Sequence, residues 1–257
     1  MKISHEIPKQ LFPVHDLIND YPYVLAHLLT DKYHYDKEYA EFYKRKLQGC
    51  EFSILDNSAY ELGKSVDIEI LHRLGEEYKP SHIVVPDHYA NMHETLSMVN
   101  EYSELYGEIS TPKFFAVIQG QDYPEYIQCL DNYIHNPFID IIGITFRTLS
   151  DGTTREQFLE DILSVESPLL KNKKIHLLGC STPNEFLEMN RSLLKRVHSV
   201  DTSSPVVNGW NLNEFTVKGY FGQKPKEKLA DNLDINLSED QKQMIYSNVK
   251  HFRNYFK

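Results

Sequence analysis

The 257-residue sequence predicts an α/β fold of the (β/α)8, TIM-like barrel class. Short, continuous apolar runs alternate with longer amphipathic stretches along most of the chain. Seven such runs, with a further candidate strand near Phe215–Val217, reach the strand count of that class at the ~250 residues typical of it. The G-x-G-x-x-G loop that usually follows the first strand of a doubly wound open sheet is absent.

The predicted strands are Tyr23–Leu29, Phe52–Leu55, His82–Val85, Phe114–Ile118, Ile139–Ile144, Ile175–Leu178 and Arg196–Val200. Most are largely apolar rather than alternating, which marks parallel strands covered by helices on their outer face. Helical periodicity falls between them, at Asp67–Tyr78, Met92–Tyr106, Tyr123–His135, Thr154–Leu163 and Asn184–Leu194. Ser65 or Asp67 can cap the helix entering Ile68–Leu74, and Asp151 and Thr153 precede the start at T-R-E-Q-F-L. Thr182-Pro183, with Glu185 two residues further on, reads as a capping box with Pro at the first helical position. The tail from Asp234 to Lys257 predicts a terminal helix, capped by Asp234 or Ser238, with Met244, Val249, Phe252 and Tyr255 on its apolar side. The expected organisation is a barrel over residues 1–233 with a C-terminal helix, 234–257, packed on it.

Composition narrows the function classes. An apolar share of 41% supplies a core, and 27 basic against 37 acidic residues leave a formal charge of −10. That balance opposes nonspecific coating of nucleic acid, although Lys171, Lys173, Lys174, Lys195, Arg196, Lys218, Lys224, Lys226 and Lys228 can supply a local basic strip. No run approaches the ~20 apolar residues that span a bilayer. The start M-K-I-S-H-E-I-P lacks the apolar segment of a secretory signal, so a cytoplasmic protein is expected, in the host cytoplasm if phage-encoded. Cys50, Cys129 and Cys180 are far apart and odd in number, which predicts reduced thiols; neither a metal site nor a cofactor is expected.

Three carboxylates end apolar runs: Asp56 in F-S-I-L-D-N-S-A-Y, Asp87 in H-I-V-V-P-D-H-Y and Asp201 in R-V-H-S-V-D-T-S-S-P. A buried strand fixes the backbone, and an acid at its end emerges where the substrate of a barrel enzyme binds. Each acid also has a plain structural use: an Asx turn for Asp56, a solvated turn for Asp87, and capping of Ser203 or Ser204 for Asp201.

These strand ends resemble, in order, those of the tRNA-guanine transglycosylase family and its phage and bacterial relatives that place 7-deazaguanines in DNA. The family's D-S-G-G-F stands here as D-N-S-A-Y, Asp56 to Tyr60, and its V-Q-G as I-Q-G, Ile118 to Gly120. L-M-G-x-G-T-P is similar to L-L-G-C-S-T-P, Leu177 to Pro183, and the nucleophile motif is similar to D-T-S-S-P, Asp201 to Pro205. Asn208-Gly209 follows, as in the family's R-N-G. The family's zinc motif has no counterpart after Asp201, and its G-G-L is reduced to G-I-T, Gly143 to Thr145. These departures favour the compact DNA-acting relatives over a tRNA substrate.

The resemblance implies exchange of guanine in a polynucleotide, DNA rather than tRNA, for a 7-deazaguanine such as the cyano-substituted precursor preQ0, in queuosine-like chemistry. It makes Asp201 the covalent nucleophile at C1′ and Asp56 the proton carrier. Asp87 and Gln119 would read the base, with Gly120 allowing close backbone approach and Gly143 and Ile144 offering main-chain contacts; Tyr60 would stack on or wall off the base, or else belong to the core, and Gly179 would touch substrate or form a structural turn. Phosphates would be held at the helix start by Thr182, and the Ser203–Trp210 segment would cover the site, with Trp210 or a tyrosine as a stacking wedge. Glycosidic hydrolysis and a purely base-binding barrel are the alternative readings. Whether the chain forms a homodimer or needs a partner that presents the strand stays open.

Overall fold

A computed structural model describes residues 1–108, 112–164, 167–180, 182–222, 225 and 227–256. Lys224 and Lys226 of the expected basic strip lie outside the described residues. The fold is of the (β/α)8 barrel class: eight strands, interleaved with helices, join in one sheet in the order β1-β8-β7-β6-β5-β4-β3-β2. They are β1 (Lys2–Ser4), β2 (Tyr23–Leu25), β3 (Ile54–Asp56), β4 (His82–Val84), β5 (Lys113–Val117), β6 (Ile139–Thr145), β7 (Lys174–Leu178) and β8 (Val197–Asp201).

The seven apolar runs all contain strands, but the eighth strand is Lys2–Ser4 rather than Phe215–Val217. Residues 215–217 make only an isolated antiparallel bridge, Thr216 to Gly219. Lys2–Ser4 places a single apolar residue between two polar ones, too short a pattern to register as a strand. Two compact units are distinguishable: Tyr21–His176, and Met1–Asp20 together with Leu177–Lys257.

In the unit Tyr21–His176, β3, β4, β5 and β6 each pair in parallel with the strand before, starting from β2, with an irregularity in register at Phe114/Phe115. Ile54, Leu55, Ile83, Phe115, Ile141 and Ile142 are fully buried on these strands, each worth about 1.5–3 kcal/mol of apolar transfer. Helices Met92–Tyr106 and Tyr123–His135 have the predicted bounds, because Asn91 and Asp122 accept from Glu94 N and Glu125 N and so fix their starts. Helix Ile68–Tyr78 begins after Asp67, but that side chain pairs with Lys32 and makes no cap bond. Helix Arg155–Ser164 is capped by Thr154 in a reciprocal box: Gln157 N donates to Thr154 Oγ1 at 3.3 Å and Thr154 N to Gln157 Oε1 at 2.8 Å. Asp151 instead accepts from Tyr123 N and Thr153 N.

Near the N-terminal ends of β4 to β7, Asp140 accepts from His82 Nε2 and Lys174 Nζ, both at 2.8 Å, with Lys113 Nζ at 3.4 Å. The His82 bond and the Lys174 charge hold the Asp140 carboxyl below the usual carboxylate range.

In the other unit, β1 and β8 pair in parallel, with Ser4 opposite Asp201. The expected helix Asn184–Leu194 is two short helices, Asn184–Glu188 and Arg191–Leu194. Met189 turns extended between them, and Asn190 caps the second by accepting from Ser192 N at 2.9 Å. The first begins at Asn184 with Pro183 before it, one residue later than the expected box places it. Helix Glu239–Asn254 carries the full capping box, Ser238 with Gln241. It packs on helix Ser204–Trp210 through Gly209, where a Cβ would lie 2.6 Å from Ile245 Cα. His5, after β1, is buried with its ring edge-on to Phe252 at 5.6 Å. Burial, with Arg253 adding to it, lowers the His5 pKa to about 3.

Candidate functional site

The C-terminal ends of β3, β4 and β5 each deliver a polar residue into one buried network. Asp56 ends β3. Its Oδ1 accepts from Tyr23 Oη and its Oδ2 from Ser58 N, both at 2.7 Å. The second bond is the Asx turn anticipated as the plain reading of D-N-S; the first anchors the carboxylate from outside that turn. Ser58 has φ +60°, a left-handed conformation that glycine accepts more readily, and its Oγ accepts from His27 N at 3.1 Å.

Asn57 links Asp56 to Asp87. Its Nδ2 donates to Asp87 Oδ1 at 2.6 Å and to Val85 O at 2.9 Å, and its Oδ1 accepts from Ala59 N at 2.9 Å. Gln119 closes the other side: its Nε2 donates to Asp87 Oδ2 at 2.6 Å and its Oε1 accepts from Ala90 N at 3.1 Å. Asp87 is therefore bracketed by two amides. Ser65 Oγ bonds the Asp87 backbone twice, at 3.0 Å to N and 3.0 Å to O, and so serves this turn instead of capping a helix.

A solvated Asp87 is excluded, since it is only 5% exposed. Burial raises its carboxyl above the usual carboxylate range, against the Asn57 and Gln119 bonds, which favour the charged form. Burial wins in that contest.

The remaining sequence-predicted positions separate by environment. Tyr60 is 64% exposed and so is not a core tyrosine. Gly120 permits a close approach within the protein: a Cβ there would lie 2.7 Å from Glu125 Cβ. Gly143 O accepts from Ile118 N at 2.9 Å, and the buried Ile144 O accepts from Arg155 Nη1 at 3.3 Å. Both carbonyls are thus engaged in the fold.

Asp201 and Gly179 belong to the other unit and meet there. Gly179, at φ +62°, donates its N–H to Asp201 Oδ1 at 3.2 Å. The Ser204 amide donates to Thr202 Oγ1 at 3.0 Å, so of the two amides Asp201 was expected to cap, that of Ser204 is bonded by Thr202. The expected covering loop Ser203–Trp210 is a correction: Ser204–Trp210 is a helix with every residue buried, because it backs onto Glu239–Asn254. Trp210 is buried there and presents no surface to a flipped base. The helix expected to start at Thr182 is the five-residue Asn184–Glu188.

Sequence reading did not single out Tyr23, Asn57 or Ser65 as partners of the acids. Asn57 was legible inside D-N-S-A-Y. Tyr23 and Ser65 act across 33 and 22 residues, a separation no local pattern encodes.

Cavities of about 460 Å3 beside Ser103, Asp131 and Asn136, and about 450 Å3 beside Tyr123, Asp151 and Asp161, are not lined by Asp56, Asp87 or Gln119. Among the described residues no group of three or more His, Cys, Asp or Glu is arranged to hold a metal ion, and no helix is long and apolar enough to cross a membrane.

No family model and no curated protein matches the chain. Among solved structures, N-acetylneuraminate lyase from Mycoplasma synoviae is similar at 14% identity and a TM-score of 0.46, over 82% of this chain and 75% of that one.

Proposed function

We propose that the protein is a base-exchange transglycosylase that replaces guanine in a polynucleotide, DNA before tRNA, by a 7-deazaguanine. The observation that supports this most is Asp87 bracketed by Asn57 and Gln119. Each carboxylate oxygen has about two lone-pair sites, and one amide N–H takes one on each. The other pair suits two parallel donors, such as N1–H and the exocyclic amine of a guanine; adenine lacks that pattern. The flanking amides fix the carboxyl plane before a base arrives, so little orientation remains to be gained on binding.

In the proposed exchange, an Asp201 oxygen attacks C1′ and the C1′–N9 bond breaks, its electron pair leaving with guanine. Asp56 supplies the proton to N9. The incoming 7-deazaguanine gives the proton on its corresponding ring nitrogen to Asp56, that nitrogen attacks C1′, and the ester bond to Asp201 breaks. Bonds of similar type are exchanged, so the scheme calls for no triphosphate and no redox cofactor. Asp87 is only 5% exposed, so the scheme requires its surroundings to open before a base binds.

Incubation with a guanine-containing DNA duplex or single strand and labelled guanine or preQ0 tests the reading. Label enters the strand with the wild type, and Asp201→Asn abolishes incorporation while leaving base affinity largely intact. Unimpaired incorporation by Asp201→Asn removes the nucleophile assignment. Abasic strands without incorporation identify a hydrolase instead.

A further inference from the structure

Two residues beyond β6, a cation stands that the exchange scheme leaves without a task. The Arg147 guanidinium carbon lies 5.0 Å from the Tyr89 ring centroid and 5.8 Å from that of Tyr126. Its Nε and Nη2 are shielded from solvent and, among the described residues, have no hydrogen-bond partner. The Tyr89 and Tyr126 hydroxyls are near enough to favour the charged form but lie outside bonding geometry to those nitrogens. Among the described residues no carboxylate pairs with Arg147, in a chain whose formal charge is −10.

Tyr89 is placed by the Asp87 network, and Tyr126 by the end of the neighbouring strand β6. Tyr126 is buried and its hydroxyl lies 3.0 Å from Thr145 Oγ1, at the end of β6. Tyr89 sits between two anchored amides, His88 N on Thr95 Oγ1 at 2.9 Å and Ala90 N on Gln119 Oε1 at 3.1 Å. Ala90 is held at φ +57°, a left-handed conformation uncommon for a residue with a Cβ. The Tyr89 side chain remains 66% exposed.

Nε and Nη2 form the side-on fork of a guanidinium, which donates two parallel N–H bonds to two oxygens of one phosphate or carboxylate. An unfilled fork over aromatic rings, one of which (Tyr89) lies on the same loop as the purine-type recognition acid Asp87, is arranged for a base and its phosphate together. We infer that Arg147, with Tyr126 as its floor and the exposed Tyr89 ring as a movable cover, is the subsite for the phosphate of a nucleotide. The inference rests on reading Asp87 as a guanine-recognition acid. The shared chemistry is a phosphate oxygen pair, supplied either by a free nucleotide monoester or by a phosphodiester within a strand.

Equilibrium binding at fixed ionic strength to deoxyguanosine, its 5′-monophosphate and a guanine-containing dinucleoside phosphodiester tests it. The wild type is expected to prefer a phosphorylated ligand to the nucleoside by about tenfold or more. Preference for the monoester assigns the subsite to free nucleotides, and preference for the diester to a strand. Arg147→Ala should erase the preference and Arg147→Lys restore part of it. Arg147→Gln, which keeps the stem against the rings, replaces the alanine variant if that one does not fold. Equal binding of all three ligands by the wild type, no binding of either phosphorylated ligand, or a preference surviving in folded Arg147→Ala overturns the inference. Loss of exchange with the preference intact sinks the proposed function alone; exchange without the preference sinks the subsite alone.

Discussion

Tyr23 donates its phenolic proton to Asp56 Oδ1 across 2.7 Å, joining the start of β2 to the end of β3. Its ring also stacks at 18° on His176, whose ring lies 4.9 Å from Phe115. The acid assigned to proton transfer is thereby fixed by a residue that is itself locked by packing. Tyr23→Phe keeps the ring and removes the donor. Leaving a buried acceptor short of a partner costs about 1–3 kcal/mol, read as a lowered midpoint in urea at constant slope. Exchange activity, where measurable, should fall in kcat more than in KM, since Asp56 loses its orientation and not its contact with the base.

Asp87 carries an opposite pH signature to most carboxylates. Its raised pKa means that the folded chain binds the proton more tightly than the unfolded chain does. Stability from this group is therefore full below the usual Asp value and declines as pH rises through the folded one. In Asp87→Asn this slope disappears, so the wild type's advantage over the variant is greatest in acid. Chemical denaturation of both proteins from pH 4 to pH 8 checks the sign; a constant difference contradicts it.

Asp140 behaves in the conventional sense. His82 and Lys174 depress its pKa, so its stabilisation is present above the usual Asp value of 3.8 and is lost as pH falls toward the folded one. Asp140→Asn should cost on the order of 1–2 kcal/mol at neutral pH, a figure reduced for the partial solvent contact of the carboxyl. Wild type and variant should converge as acid protonates Asp140.

His5 is buried uncharged, with its pKa lowered from 6.5 to about 3. The unfolded chain takes up the proton first, so stability from this residue holds above about 6.5 and drains away between there and about 3. His5→Phe preserves a ring against Phe252 and should remove that loss. Thermal midpoints at pH 7 and pH 4.5 ought to differ less in the variant than in the wild type.

Gly209→Ala sets helix propensity against contact. Alanine gains about 0.5–1 kcal/mol inside a helix. The added methyl would nevertheless stand 2.6 Å from Ile245 Cα and 2.7 Å from Ile245 N, and backbone yields less readily than a side-chain tip. Overpacking of this kind costs about 1–3 kcal/mol, so a net loss in the urea midpoint is expected.

Elements whose determinants are local were legible in the sequence. Met92–Tyr106 and Tyr123–His135 carry apolar periodicity, and each starts behind an Asx cap. The ends of β3, β4 and β8 were visible as acids after apolar runs. Elements decided by distant contacts were not: Lys2–Ser4 is a strand because β8 pairs with it, and Ser204–Trp210 is a buried helix because Glu239–Asn254 lies against it. At the candidate site the acids were legible and their holders were not. Asp87 draws on Ser65 and Gln119, 22 and 32 residues away, and its burial is a product of that assembly.

The register of Lys2 with Ser199 and Ser4 with Asp201 has a temporal side. During synthesis the first strand leaves the ribosome well before its mate exists. At about 5–20 residues per second that wait lasts about 10–40 s. Until Val197–Asp201 emerges, the amide groups of Lys2–Ser4 face water or whatever else offers a strand edge. A polar, three-residue segment with a lysine at its head is a poor template for such strays, and that is also why it escapes notice as a strand.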